Sequence, residues 1–378
     1  MKKTLLAAAL IAGYAGAASA QNSVTLYGVV STGLEYQTVK AGDGAETQSR
    51  FRMDTGEWNG SRWGLRGTED LGNGLKASFV LESGFDSTDG DQAQGGRLFG
   101  RRATVALSGD SWGKVELGRA VSPGTVAFSG VDPFGASFGT SSYTSSAGQS
   151  FIRYDDMVTY ATPNISGFKA IVGYSFDPGL SSNSESGGFE TNNKNRIASA
   201  GLRYANGPLL LSGIFDYVYS NNKNTGSTVG IDNDTNVKAW QIGGAFDFKV
   251  AKLHAAYGQE IDGSLGFGDA IVNTLAAGGS GQNTGAVVFA RGVRVQTWML
   301  GATAPIGSGK LAVGVQQARP GGDLDTFGAS TQTVASVGYT YNLSKRTGVY
   351  GYYSYANNLG MIDGAKSNMF GVGVRHLF

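Results

Sequence analysis

From Leu75 to Glu82 the chain alternates: Leu75, Ala77, Phe79 and Leu81 fall on one side of an extended backbone, Lys76, Ser78 and Glu82 on the other. Successive side chains of a strand point to opposite faces, so this is a strand with one apolar and one polar surface. The pattern recurs along the chain. Ser61 to Asp70 sets Trp63 and Leu65 against Arg62, Arg66, Thr68 and Asp70, and Val334 to Asn342 sets Val337, Tyr339 and Tyr341 against Ser336, Gly338 and Thr340. After the N-terminal twenty residues no apolar run approaches the eighteen or so residues of a membrane helix.

The alternation predicts sixteen strands, at about 23–36, 61–70, 75–85, 97–108, 113–119, 152–161, 168–177, 196–204, 209–219, 236–246, 251–260, 292–303, 309–318, 331–342, 347–356 and 367–378. The connections alternate in length. Short turns such as Leu71 to Gly74, Ala205 to Pro208 and Leu343 to Arg346 are followed by long polar loops at 37–60, 86–96, 120–151, 178–195, 220–235, 261–291, 319–330 and 357–366. Tight turns at one end and long loops at the other define an up-and-down antiparallel sheet, and an even count lets the last strand close on the first. Closure is what a membrane requires of a sheet, because lipid offers no water to an open edge. Barrels of about sixteen strands enclose an aqueous channel.

Composition agrees. Gly contributes 60 of 378 residues, more than twice its usual share of about 7%, while Pro is scarce and aromatics reach 11%, which fits neither collagen nor low-complexity disorder. The absence of Cys excludes disulfide staples and thiolate chemistry, and the two histidines, His254 and His376, are too far apart in sequence to suggest a metal pair. A soluble sandwich or propeller also alternates, but no blade repeat is present and a strand as apolar as Phe370 to Phe378 would be an aggregation hazard at a soluble edge. Tyr339, Tyr341, Tyr353 and Tyr355 suit an aromatic girdle.

Lys2-Lys3, the apolar run from Leu5 to about Ala17 and Ala18-Ser19-Ala20 have the order of a secretory signal peptide, so residues 1–20 are expected to be removed and 21–378 to form the barrel domain. Losing Lys2 and Lys3 takes the net charge from +1 to −1, a balance that asks for no nucleic acid.

Five ordered motifs carry a family resemblance. Val24 to Gly28, Ser61 to Ala77, Gly113 to Arg119, Tyr341 to Thr347 and Arg375 to Phe378 resemble the trimeric general porins of the beta-proteobacterial outer membrane, over the whole chain. That resemblance implies an all-β, 16-stranded antiparallel transmembrane barrel and a homotrimer in contact with outer-membrane lipid and lipopolysaccharide. It also implies passive diffusion of small hydrophilic solutes and anions without a cofactor, catalytic residues or a resident metal. Phe378 would be the signal read by the outer-membrane assembly machinery. The loop at 86–96 would latch onto a neighbouring subunit.

The long third loop, 120–151, is expected to fold into the lumen, with its turn at Pro133, Phe134 and Gly135. Porins of this kind set basic wall residues against acids on the wall and on that loop. Strand parity puts Arg62 and Arg66 on the polar face. It places Arg102 inward and Arg101 outward, although the family would accept either, and it places Arg153 inward while Tyr154, Val158 and Tyr160 face out. Glu82 and the loop's Asp132 are the expected acidic counterparts. Where relatives tend to carry an acid after the Leu-Tyr-Gly strand this chain has Ser31, and its loop acid precedes the proline rather than following it. Both changes weaken the negative side, which predicts a mild anion preference.

Two other readings remain open on sequence. One is a channel specific for a sugar or a small organic anion, although no aromatic track lines the polar faces. The other is a membrane-embedded hydrolase. Gly109 to Gly113 and Gly135 to Gly139 both match G-x-S-x-G, but the first is a hairpin turn and the second precedes no helix. Asp232 to Asn236 offers alternate oxygens for a loose cation site without the rest of a calcium loop.

Overall fold

The computed structural model describes residues 23–146, 153–179, 195–219, 235–265, 287–323 and 328–378. The strands are β1 (Ser23–Ala41), β2 (Thr47–Thr55), β3 (Arg62–Gly72), β4 (Leu75–Gly84), β5 (Arg102–Gly109) and β6 (Gly113–Val121). Next come β7 (Arg153–Ala161), β8 (Phe168–Ser175), β9 (Arg196–Asn206), β10 (Leu209–Tyr219), β11 (Val237–Asp247) and β12 (Lys252–Leu265). The last are β13 (Val287–Ile306), β14 (Gly309–Gly322), β15 (Gln332–Asn342), β16 (Thr347–Asn357) and β17 (Ala365–Leu377). All pair antiparallel with their neighbours in one closed sheet. Because β2 and β3 pair end to end along the same edge of β1, they form a single stave, and the barrel has sixteen. β17 closes on β1 from Val29 opposite Leu377 to Ala41 opposite Ala365, and Phe378 and Gly28 exchange backbone hydrogen bonds of 3.0 and 3.1 Å.

Opposed residues of an antiparallel pair share a face, so the register fixes inside and outside. One ring around the sheet carries Leu107, Val172, Phe215, Leu253, Leu300, Val313, Val337 and Phe370, all exposed. These form the lipid-facing surface. The opposite parity carries the Arg, Glu, Ser and Gln side chains and the small residues, and it faces the lumen.

The first hairpin differs from expectation. The stretch 37–60, read as a loop, is mostly strand: β1 runs on to Ala41 and β2 returns from Thr47. The reason is visible in the side chains. Glu35 and Gln37 oppose Arg52 and Arg50 inside, while Tyr36 opposes Phe51 and Leu34 opposes Met53 outside. A dense run of inward charges masks an ordinary alternation. Between β2 and β3 the stave is interrupted at residues 56–61, and side chains mend the ladder there: Ser61 Oγ accepts from Ser31 N at 3.1 Å, while Gly56 N and Ser87 Oγ reach Ser31 O at 2.8 and 3.3 Å.

After β6 the chain leaves the wall. Ser122 caps a short helix, α1 (Pro123–Phe128), by accepting from Thr125 N at 3.1 Å, and Pro123 suits the first helical position. The helix packs on β8, β9 and β10, where glycine makes the approach possible: a Cβ on Gly201 would stand 2.5 Å from Ala127 Cβ. Beyond it the segment crosses to the inward faces of β12 to β17. Phe128, Val131 and Tyr143 join Leu210, Ile214, Ala256 and Met299 in one buried cluster, and Phe134 and Phe138 join Ala312, Tyr350, Tyr352 and Met369 in another.

Candidate functional site

The charged wall is built from four neighbouring staves. β3 presents Arg62 and Arg66 inward, Glu82 lies on the same face of β4, and register pairs Glu82 with Arg102 of β5 and Ala106 with Glu116 of β6. Glu82 accepts from Tyr27 Oη at 3.0 Å and from Arg101 Nε at 2.7 Å. Arg102 meets Glu116 at 2.5 Å, and Lys114 shares that carboxylate. Arg66 lies over the Tyr27 ring, 5.1 Å from its centre.

Two side-chain assignments from strand parity need correction. Arg101, expected outward, turns to Glu82 on the lumenal side. β5 begins only at Arg102, so residue 101 stands outside the alternation and its side chain follows the carboxylate instead. Tyr154, expected outward, is fully buried with Met157, Ile197, Val218, Val237 and Ala239 on the inner face. The cause is a bulge: Gly118 faces Met157 while Ala120 faces Tyr154, and Asp156 takes a φ of 46°. Val158 and Tyr160, beyond the bulge, do face out. Arg153, at the head of β7, lies in the field of Arg101, Glu82, Arg119 and Arg62. Its Nε is buried without an acceptor, as is Nε of Arg375.

Asp132 makes its hydrogen bonds within its own segment. Its carboxylate is turned into its own loop and accepts from Phe134 N at 2.8 Å, Ala136 N at 3.0 Å, Tyr143 N at 3.1 Å and Ser142 Oγ at 3.1 Å. Burial raises this carboxyl above the usual aspartate range, and the four donors draw it part of the way back. The turn that follows is as the sequence suggests. Gly135 has a φ of 64°, Phe134 is buried, and Pro133 reaches so close to β13 that a Cβ on Gly301 would lie 2.6 Å from Pro133 Cγ.

Further bonds hold the segment to the inner wall. His254 Nδ1 meets Val131 O at 2.9 Å, and Thr140 and Ser354 hydroxyls meet at 2.6 Å. Gln316 Nε2 donates to Ser142 O at 2.9 Å, and the Tyr143 and Thr297 hydroxyls meet at 2.9 Å. Ser137, the serine of the second G-x-S-x-G match, donates to Trp58 O at 2.6 Å and has no histidine partner among the described residues.

The interruption at 56–61 supplies what sequence reading missed. Trp58 covers the Arg375 guanidinium, 3.5 Å from ring centre to Cζ, and Asn59 Oδ1 accepts from Arg375 Nη1 at 2.8 Å. Glu57 O accepts from Phe138 N at 2.6 Å. Behind it, Arg52 bridges Glu35 at 3.1 Å and Asp54 at 3.0 Å. The alternation of Glu35, Gln37, Arg50, Arg52 and Asp54 was the available signal. Three of the carboxylates, Glu35, Asp54 and Glu57, come within 4.8 Å of one another; Arg50 and Arg52 pair with Glu35 and Arg52 with Asp54, while Glu57 has no ion pair among the described residues. Asp232 to Asp234 lie outside the described residues.

A family model described as "Gram-negative porin" matches residues 6–360. The chain belongs to the Gram-negative porin family. It is therefore an outer-membrane channel and not an enzyme. An outer membrane porin of Bordetella pertussis is 44% identical over the whole of both chains, and outer membrane porin protein 32 of Delftia acidovorans is 32% identical, again over all of both. Among solved structures, an anion-selective porin from Comamonas acidovorans superposes with a TM-score of 0.70 at 28% identity, covering 95% of this chain and all of its own. The porin fold leaves the hydrolase reading without support.

Proposed function

We propose that this porin passes small hydrophilic solutes and ions by diffusion with a mild preference for anions. Arg62, Arg66, Arg101, Arg102 and Arg153 would set that preference, with Glu82 as their acidic counterpart and 120–151 as the segment that narrows the lumen. The observation that carries the reading is an imbalance of pairing. Arg101 is paired with Glu82, and Arg102 shares Glu116 with Lys114, whereas Arg62, Arg66 and Arg153 have no ion pair among the described residues. An unpaired guanidinium at ~4 Å from a passing ion is worth on the order of 4 kcal/mol at an effective dielectric of about 20, before screening. A residual bias of about 1.4 kcal/mol gives tenfold discrimination. The similar solved structure from Comamonas acidovorans is an anion-selective porin, which supports the reading. Asp132 acts here as the staple of the loop rather than as an opposing charge.

Reversal potentials under a salt gradient in planar bilayers test this. Arg62→Gln and Arg153→Gln should each shift selectivity toward cations. Arg102→Gln should shift it less, because the field of Arg102 is partly offset by Glu116, with which it is paired. Unchanged reversal potentials in the Arg62 and Arg153 variants would refute the assignment.

Assembly as a homotrimer, the signal peptide at 1–20 and recognition of Phe378 by the assembly machinery belong to the same reading. The loop after β4 bends over the outer wall, where Ser87 meets the Thr32 and Thr55 hydroxyls at 2.5 and 2.8 Å, which suits a latch onto a neighbouring subunit.

A further inference from the structure

Where β1 meets β2 and β17, the inner wall holds three buried carboxylates, Glu35, Asp54 and Glu57, with an oxygen of each lying within 4.8 Å of the others. Two guanidiniums stand against these three charges. Arg52 reaches Glu35 Oε1 at 3.1 Å and Asp54 Oδ2 at 3.0 Å, and Arg50 reaches the same Glu35 oxygen at 3.5 Å. One negative charge is left over in a buried place, which is costly unless a further cation balances it.

Two side chains keep an oxygen open toward the cluster. Glu57 and Tyr350 are each 5% exposed, and neither Glu57 Oε2 nor Tyr350 Oη has a hydrogen-bond partner among the described residues. Buried polar atoms are seldom left in that state. The aim of Tyr350 is set by glycine. It opposes Gly373 of β17, and its ring lies across that strand with the hydroxyl so near β1 that a Cβ on Gly33 would stand 2.6 Å from it. Gly33 opposes Asp54, so the hydroxyl points into the cluster. Tyr352, stacked beside Tyr350, reaches Glu35 Oε2 only at 3.3 Å.

The donors are all oxygens, three carboxylates and a phenol. Such a set suits hard cations rather than copper, zinc or iron. Two oxygens that ligate one calcium ion at about 2.3–2.6 Å can stand roughly 5 Å apart, which covers the spacing here, whereas magnesium at about 2.0–2.1 Å demands a tighter octahedron. The inward segment closes the site. Glu57 O accepts from Phe138 N at 2.6 Å, a Cβ on Gly139 would lie 3.5 Å from Glu57 Oε2, and Phe138 packs on both tyrosine rings.

We infer that Glu35, Asp54, Glu57 and Tyr350 form a calcium site on the inner wall, behind Phe138 and Gly139. The ion supplies the missing positive charge and takes up the two open oxygens, and through Glu57 it braces the inward segment against the barrel. A resident metal goes beyond what the family resemblance implies, and the inference does not rest on the selectivity proposed above.

Terbium(III), an oxygen-seeking ion of calcium's size, is the probe. The porin in detergent, freed of lipopolysaccharide whose phosphates would also take the ion, is excited in its tyrosine absorption and terbium emission is read. A saturable emission sensitised by Tyr350 and Tyr352 is expected, displaced by calcium and roughly tenfold less effectively by magnesium. Glu57→Gln should weaken binding roughly tenfold. Tyr350→Phe should weaken it less, with Tyr352 still present to sensitise the ion. Glu57 has no ion pair to lose among the described residues, so Glu57→Gln should fold, which its thermal transition in EDTA certifies. If it does not, Tyr350→Phe carries the test. Calcium should raise the thermal transition of the wild type and leave that of Glu57→Gln where it is. Absence of saturable emission would overturn the site, since the carboxylates would then balance their charge by sharing protons. Equal displacement by magnesium would overturn it too. Unchanged affinity in the variants would place the ion on surface acids and overturn it as well.

Discussion

A single carboxylate shows how little of a residue's role follows from its charge alone. Asp132 sits in a turn signal that is plain in the sequence, yet its four donors all come from residues 134–143 of its own loop. Asp132→Ala would leave three backbone N–H groups without their acceptor, at about 1–3 kcal/mol for each that water does not reach. The loop should loosen while the barrel persists, so open-channel noise rises and the thermal unfolding of the barrel in detergent changes little. Asp132→Asn keeps one acceptor oxygen and should lie between. pH acts in a defined direction. A carboxyl raised by burial holds more protons in the folded loop than in the unfolded one, so its contribution is fully present below about pH 3.9 and is lost as pH rises through the raised value. Channel noise should accordingly increase across that window in wild type and not in Asp132→Ala. The arginines teach the complementary lesson. Arg62, Arg66 and Arg102 are legible because each belongs to a regular strand. Arg101 is not, because the strand and its alternation begin one residue after it, and the face of Tyr154 is not, because the bulge at Asp156 adds a residue that no pattern announces.

At the scale of elements, strands are recognisable wherever one face is apolar, and the hairpin of β1 and β2 escapes notice where the inner face is crowded with charge. The broken stave that follows has a consequence for stability. In lipid an unpaired backbone group has no water to turn to, and at Ser31 the ladder is completed by Ser61 Oγ. Ser61→Ala should therefore cost about 1–3 kcal/mol, more than a surface serine warrants, and Ser61→Thr should restore most of it. Unfolding in urea from lipid vesicles would measure both. The seat of α1 is equally specific. Gly201→Val would place side-chain atoms where Ala127 and Pro123 O now stand, forcing the helix off the wall at about 1–3 kcal/mol. Because the clash lies wholly on the inner face, single-channel conductance should change while the outward face and its lipid contacts do not. The high glycine content thus has a positional meaning along β8, β9 and β13 that composition alone could not assign.

For the whole molecule, sixteen staves, closure and the alternation of turn lengths follow from periodicity, because those depend on the two faces of each strand and not on partners far away in sequence. The partners of the inward segment depend on such contacts, Val131 with His254 and Thr140 with Ser354, and no local signal encodes them. Their consequence is that the segment is tied to the inner wall, and in the function proposed above it both narrows and reinforces the barrel. Replacing residues 123–146 by a short Gly–Ser linker separates the two roles. The closing pairs of β1 with β17 and the ladder of β6 with β7 do not involve those residues, so the barrel should still form. Its thermal transition should fall, since two buried clusters lose their loop members. Conductance should rise severalfold. Anion preference should fall with it and become more salt-sensitive, because ions could then pass the arginine wall at more than the Debye length of about 8 Å at physiological ionic strength. If selectivity survived the excision undiminished, the arginine wall would be acting without the segment that faces it, and the narrowing assigned to 120–151 would have to be withdrawn.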